Sequence, residues 1–228
     1  DLSLIVRNME VRIVDNEHFM GYLPPTSEVK VLERLVKPHN SSVDFEFELG
    51  SGGGFTIYVG GERYVFESVF SYPNLGWNSF LIEGKDDTSE PSWHISLKDY
   101  MVEADGMYYT VTRRIEVFPN RIDVCDTFKN LDKEKTLGII IKNRLVKDAP
   151  DELFFRGLRV YGDNISISEP ANPSLFLKRG KSSVGIIAVD DVFRVHSLLF
   201  KEGDSVGISD KNFGLAPGNE YTIVWSVY

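Results

Sequence analysis

The chain has 228 residues, of which 42% are hydrophobic, and a formal net charge of -9. That length allows a large core in one domain, while the acidic balance and the lack of a basic run exclude a phosphate-gripping role, so neither nucleic acid nor membrane is an expected partner. No apolar stretch reaches the roughly 18 residues that span a bilayer, and the single cysteine, Cys125, excludes an intrachain disulfide or a cysteine-based zinc cluster.

The chain starts at Asp1, which leads us to expect a single domain over residues 1–228 that is processed or excised from a larger protein. Extracellular and cytoplasmic locations both stay open. SEVKVLERLVK, from Ser27, is the best helix candidate, with Val29, Leu32, Leu35 and Val36 near helical spacing, although its β-branched residues also suit a strand. From Val43 onward period-two patterns dominate: VDFEFEL, FTIYV from Phe55, RYVFESVF from Arg63, YYTVTRRIEVF from Tyr108 and RIDVCDTF from Arg121. Turn signals separate them, including Gly50 to Gly54, Gly60-Gly61 and Pro119-Asn120. SGGGF from Ser51 lacks the lysine and helix of a phosphate loop, so a flexible hairpin turn is expected there, and the polar loop KDDTSEP from Lys85 is expected to be mobile. Short strands with frequent turns predict an all-β, two-layer antiparallel β-sandwich. LGIII from Leu137 and VGIIAV from Val184 are apolar throughout, as strands covered on both faces are, and are the candidates for central strands.

In RIDVCDTF, Asp126 shares a face with Ile122, Val124 and Phe128. A carboxylate on that apolar side needs a partner, such as a turn, Arg113 or Arg114, or else faces a ligand. The histidines are His18, His39, His94 and His196, and none has metal-ligand spacing, so no metal and no cofactor is expected. If Val189 to Ser197 is one strand, Asp190, Arg194 and His196 share a face, either as a solvated exterior or as a polar floor for a sugar. Trp77 with Asn78 and Trp93 with His94 sit among turn residues; an exposed indole offers a rigid surface to sugar C–H faces, while a buried one closes the core.

Three segments, in order, resemble the galactose mutarotase-like family. They are RRIEVFPNRIDVCDTFKNLDKEKTLGIIIKNRL with its turn after Asn130, VGIIAVDDVF, and the closing LAPGNEYTIVWSVY. The resemblance implies a supersandwich whose concave face is available to carbohydrate. It also implies a histidine in the strand after the turn, where this chain has Lys142-Asn143-Arg144, and a second near SYPNLGWNSF, which has none. Arg144 keeps its proton at working pH and cannot exchange one during ring opening. Where the family carries a glutamate base, Asp190 or Asp191 stands here.

The leading expectation is therefore a noncatalytic carbohydrate-binding domain of a sugar-processing protein, with a carbohydrate or glycan ligand at Trp77, Asn78, Trp93, His94, Arg144, Asp190, Arg194 and His196. The alternatives are a sugar-active enzyme, epimerase, lyase or hydrolase, using Asp190 or Asp191 with His196, and a structural module that packs on neighbouring domains of a larger chain.

Overall fold

The computed structural model describes residues 44–74, 76–84, 92–146, 150–168 and 170–228. The helix candidate from Ser27 and the loop from Lys85 lie outside the described residues, and the one-domain expectation extends to residues outside them as well.

The first strands are β1 (Phe45–Leu49), β2 (Phe55–Val59), β3 (Glu62–Tyr72), β4 (Gly76–Phe80), β5 (Trp93–Lys98) and β6 (Met101–Gly106). They are followed by β7 (Tyr109–Phe118), β8 (Arg121–Asn130), β9 (Leu137–Val146), β10 (Glu152–Phe155), β11 (Leu158–Arg159) and β12 (Ile165–Ser168). The chain closes with β13 (Ser174–Arg179), β14 (Ser182–Ala188), the helix α1 (Asp191–His196), β15 (Ser197–Glu202), β16 (Ser205–Leu215) and β17 (Glu220–Val227). Among the described residues these make two antiparallel sheets. One has eight strands in the order β1-β2-β3-β9-β16-β15-β12, with β4 also paired to β3; the other has nine, in the order β11-β10-β13-β14-β17-β8-β7-β6-β5. The two-layer all-β sandwich expected from the alternating sequence is the observed architecture.

Both continuously apolar segments lie where expected, β9 between β3 and β16, and β14 between β13 and β17. In each sheet alternate residues enter the core. Phe66 and Phe70 of β3 lie opposite Leu145 and Ile141 of β9 on the inner side, and Val124 and Phe128 of β8 join Ile223 and Trp225 of β17. Phe55 stacks on Phe66 at 4.9 Å and on Trp225 at 5.9 Å, and so bridges the two sheets. Burying each such side chain contributes roughly 1.5–3 kcal/mol.

Local chemistry fixes the turns. Gly60 and Gly61, between β2 and β3, have φ of 60° and 83°, the pair of positive values that a type I′ hairpin needs and that side chains resist. Gly50 to Gly54 form the expected hairpin turn, joining β1 to β2, and the turn is closely packed. Gly52, Gly53 and Gly54 are buried, and a Cβ at Gly50, Gly52 or Gly54 would strike the backbone of Leu81, Ile82 or Glu83 within 3 Å. These glycines serve close packing, and the Gly53 carbonyl accepts a hydrogen bond from Arg113 Nη1 at 3.2 Å.

That contact belongs to a polar relay through the core. Arg113 of β7 donates to both oxygens of Asp126 on β8, from Nε at 2.7 Å and from Nη2 at 2.8 Å, with both side chains wholly buried. Nη2 also donates to Ser68 Oγ of β3 at 2.6 Å, and Ser68 Oγ donates to Asn143 Oδ1 of β9 at 2.6 Å. The Trp225 indole N–H completes the shell of Asp126 at 3.2 Å, and Phe80 lies 4.6 Å from the guanidinium carbon. Of the partners open to Asp126 in the sequence, Arg113 is the one it takes. The relay ties the two sheets to each other in one register, which apolar contacts alone specify less sharply.

A second polar link sets an alkaline limit on the fold. Asn78 Nδ2 donates to the Tyr109 hydroxyl, which reaches the Phe70 and Ser71 carbonyls. Burial raises the Tyr109 phenol well above its ordinary range, and burial together with Asp190 raises that of Tyr221 to about 12. An unfolded tyrosine ionises near pH 10, so above that point the unfolded chain binds fewer protons than the native one and stability falls as pH rises. We expect the melting temperature to drop between pH 10 and about 12, with a late phenolate step at 295 nm that coincides with unfolding. A Tyr109 signal that titrates in the folded state would contradict this.

Candidate functional site

The open face of the eight-stranded sheet gathers the most prominent surface chemistry. Outward positions alternate with the core residues: Glu67 and Ser71 on β3, Trp77 on β4, and Lys142 and Arg144 on β9. Register brings them together, because Glu67 pairs with Arg144, Ser71 with Trp77, and Val69 with Lys142. Trp77 is 48% exposed. Lys142 Nζ lies 5.9 Å from the Trp77 ring centre and 5.4 Å from that of Phe200, and donates to Glu202 Oε2 at 2.7 Å. Arg144 Nη2 donates to Glu67 Oε2 at 3.3 Å. An indole face bordered by paired cations and carboxylates can stack on a sugar ring and bond its hydroxyls. Arg144, and Trp77 from the segment where the mutarotase resemblance places a second histidine, both lie on this face.

The other residues singled out in the sequence lie elsewhere. Asn78 and Trp93, expected at a sugar-facing surface, are buried: Asn78 points inward beside Tyr109, and Trp93 packs on Phe70 and Phe80 while its indole donates to the Ser79 carbonyl. His94 is exposed on β5 of the other sheet, paired in register with Asp105. The stretch from Val189 to Ser197 is a strand only at its last residue, and Asp191 to His196 form α1. The reason is capping. Asp190 Oδ1 accepts the Phe193 amide at 3.0 Å, which starts a helix that propensity alone would not, since Val192 and Val195 are β-branched. Asp190, Arg194 and His196 therefore do not form a strand-face row.

Asp190 is occupied by structure. Its Oδ1 also accepts the Tyr221 hydroxyl at 3.2 Å, and its Oδ2 accepts the Val224 amide at 2.7 Å, which fastens the start of α1 to β17. Asp191, Arg194 and Val195 are exposed. His196 pairs with a residue the sequence did not single out, Asp210 of β16, with Nδ1 3.4 Å from Oδ2. At that length the contact is close but falls short of an aligned hydrogen bond. The missed signal is SDKNF, where a buried acid precedes an irregularity in the β16–β9 ladder between Asp210 and Phe213. Among the described residues, no group of three or more His, Cys, Asp and Glu side chains is placed to hold a metal ion.

No protein-family model matches the chain, and no curated protein sequence does. Solved structures do resemble it. A polysaccharide lyase superposes with a TM-score of 0.52 at 10% identity, over 82% of this chain and 32% of the lyase. A protein of Synechocystis sp. PCC 6803, Slr1438, gives 0.42 at 8% identity over 82% of this chain and 91% of its own. A human-microbiome protein assigned as a kojibiose phosphorylase gives 0.35 at 8% identity over 80% and 25%. The likeness to the lyase is one of fold, and the chain spans about a third of the lyase's length.

Proposed function

We propose that this sandwich is a noncatalytic carbohydrate-binding domain of a sugar-processing protein, with the Trp77 face of the eight-stranded sheet as its floor. The observation that carries the reading is the half-exposed Trp77 ring with the Lys142–Glu202 pair beside it, and the Arg144–Glu67 pair further along the same face. Each cation has its own carboxylate, so the floor is locally neutral and suits a neutral saccharide. A fold shared with a polysaccharide lyase is in keeping with this. The noncatalytic reading is supported by Arg144, a permanent cation where the mutarotase resemblance calls for a proton-exchanging histidine, and by Asp190, whose oxygens are taken up by the α1 cap and β17.

Calorimetric titration against a panel of neutral oligosaccharides tests the proposal. Trp77→Ala removes the stacking surface and should weaken binding by about tenfold or more, the effect of losing roughly 1.4 kcal/mol or more at an aromatic anchor, with the melting temperature unchanged because the ring is half in water. No detectable binding of the wild-type chain at millimolar saccharide would remove the proposal. Polarimetry of fresh aldose solutions should show mutarotation at the uncatalysed rate, and acceleration by the chain would favour the enzyme reading.

A further inference from the structure

A cleft of about 440 Å³ opens where the end of α1, the irregular part of β16 and the start of β17 meet, and it shares no lining residue with the Trp77 floor. Thr136, Asn212, Asn219, Glu220, Tyr221 and His196 contribute to its wall. No lysine or arginine lines it and Glu220 does, which disfavours an anionic ligand, while Val192, Phe213, Leu215 and Ala216 stand among the hydroxyl, amide and imidazole groups in a mixed wall that suits a ligand with both C–H faces and hydroxyls.

At this wall the imidazole of His196 is set against a buried acid, Asp210. The Asp210 side chain is wholly buried while that of His196 is 35% exposed. Nδ1 is buried and, like Asp210 Oδ2, makes no aligned hydrogen bond, so the exposed part of the ring lies away from Nδ1. Asp210 Oδ1 accepts the Asn212 amide at 2.7 Å, which leaves Oδ2 facing the imidazole. Burial pushes the Asp210 carboxyl up, against the pull of the Asn212 amide and His196. A carboxylate placed at Nδ1 holds the proton there and leaves Nε2 as an acceptor. The ladder irregularity that follows Asp210 is the kind of local feature that re-aims side chains at ligand sites.

We propose that this cleft is a ligand site for a neutral polyhydroxylated small molecule, in which His196 Nε2 accepts a hydrogen bond from a ligand hydroxyl and Asp210 is the positioning residue that fixes the imidazole. The site goes beyond the Trp77 reading and stands without it.

The test is an NMR titration of the full chain. The His196 Cε1–H resonance, assigned by its loss in His196→Gln, is followed as D-galactose, D-glucose or D-glucuronate is added to high millimolar concentration. We expect a saturable shift with a neutral hexose, a far weaker one with glucuronate, and the same shift in Trp77→Ala. Nitrogen-15 spectra of the wild-type chain should place the neutral imidazole proton on Nδ1. Asp210→Asn should move part of that population to Nε2 and weaken hexose binding about fivefold, the effect of one net hydrogen bond. Failure of both hexoses to shift the resonance overturns the site, as does an equal response to glucuronate or loss of the shift in Trp77→Ala. A wild-type proton on Nε2 overturns the role of Asp210, whether or not the Asp210→Asn chain folds.

Discussion

Asp126→Ala should cost about 3–5 kcal/mol, a large part of the stability of an ordinary domain. The substitution strands the Arg113 guanidinium, whose side chain has no exposure, with only Ser68 Oγ and the Gly53 carbonyl as hydrogen-bond acceptors and aromatic faces around it. It also deprives the Trp225 indole of its acceptor. In urea the midpoint should fall by roughly 2 M, from a slope of about 1–3 kcal/mol/M. Arg113→Met with Asp126→Leu should recover much of the loss, because an apolar pair of similar size removes both buried charges together. The exposed pair Arg114–Glu116, with side chains 64% and 43% accessible, is the control, and its loss should be worth at most about 1 kcal/mol. If Asp126→Ala shifts the midpoint no more than Glu116→Ala does, the relay is not what ties the sheets together.

How much of this was legible beforehand depended on whether a feature was local or arose between distant strands. Alternation alone located β1, β2, β3, β7 and β8, and the apolar runs located β9 and β14, because burying one or both faces of a sheet writes a period directly into the chain. The oddity of Asp126 was visible too. That Arg113 rather than Arg114 answers it follows from register, since Arg113 pairs with Asp126 across β7 and β8 while Arg114 pairs with Cys125. The α1 helix was hidden because its residues favour a strand and its cap is one aspartate held by a distant amide on β17. Turn signals flank Asn78 and Trp93 and left both a sugar-facing surface and a core position open for the indole; the β3–β4 ladder places Asn78 beside Phe70 on the inward side, and Trp93 packs on Phe70 and Phe80. Asp210 could not have been linked to His196 from spacing, as the pair forms only when α1 returns against β16.

Gly207→Ala should be strongly destabilising although it adds a single carbon. Gly207 lies on β16 between Arg144 of β9 and Phe200 of β15. A Cβ there would stand 2.1 Å from the Asn143 carbonyl oxygen, 2.8 Å from Arg144 Cα and 3.0 Å from the Asn143 carbonyl carbon. All three are backbone atoms of a central strand, so no side chain can swing aside and the β9–β16 ladder must open. Overpacking of this kind costs about 1–3 kcal/mol, occasionally more, and an interior ladder with strands on both sides has little room to spread. The same displacement would carry Lys142 away from Trp77, so saccharide affinity should fall along with the unfolding midpoint. Gly138→Ala and Gly214→Ala provide the contrast: an added Cβ meets nothing within 4 Å at Gly138 and only the Leu137 carbonyl oxygen at 3.8 Å at Gly214. Both should leave stability within about 0.5 kcal/mol of the wild type or raise it slightly. A Gly207→Ala chain with the wild-type midpoint would mean that β9 and β16 yield without cost, and the close approach that positions Lys142 beside Trp77 would then not be a constraint of the fold.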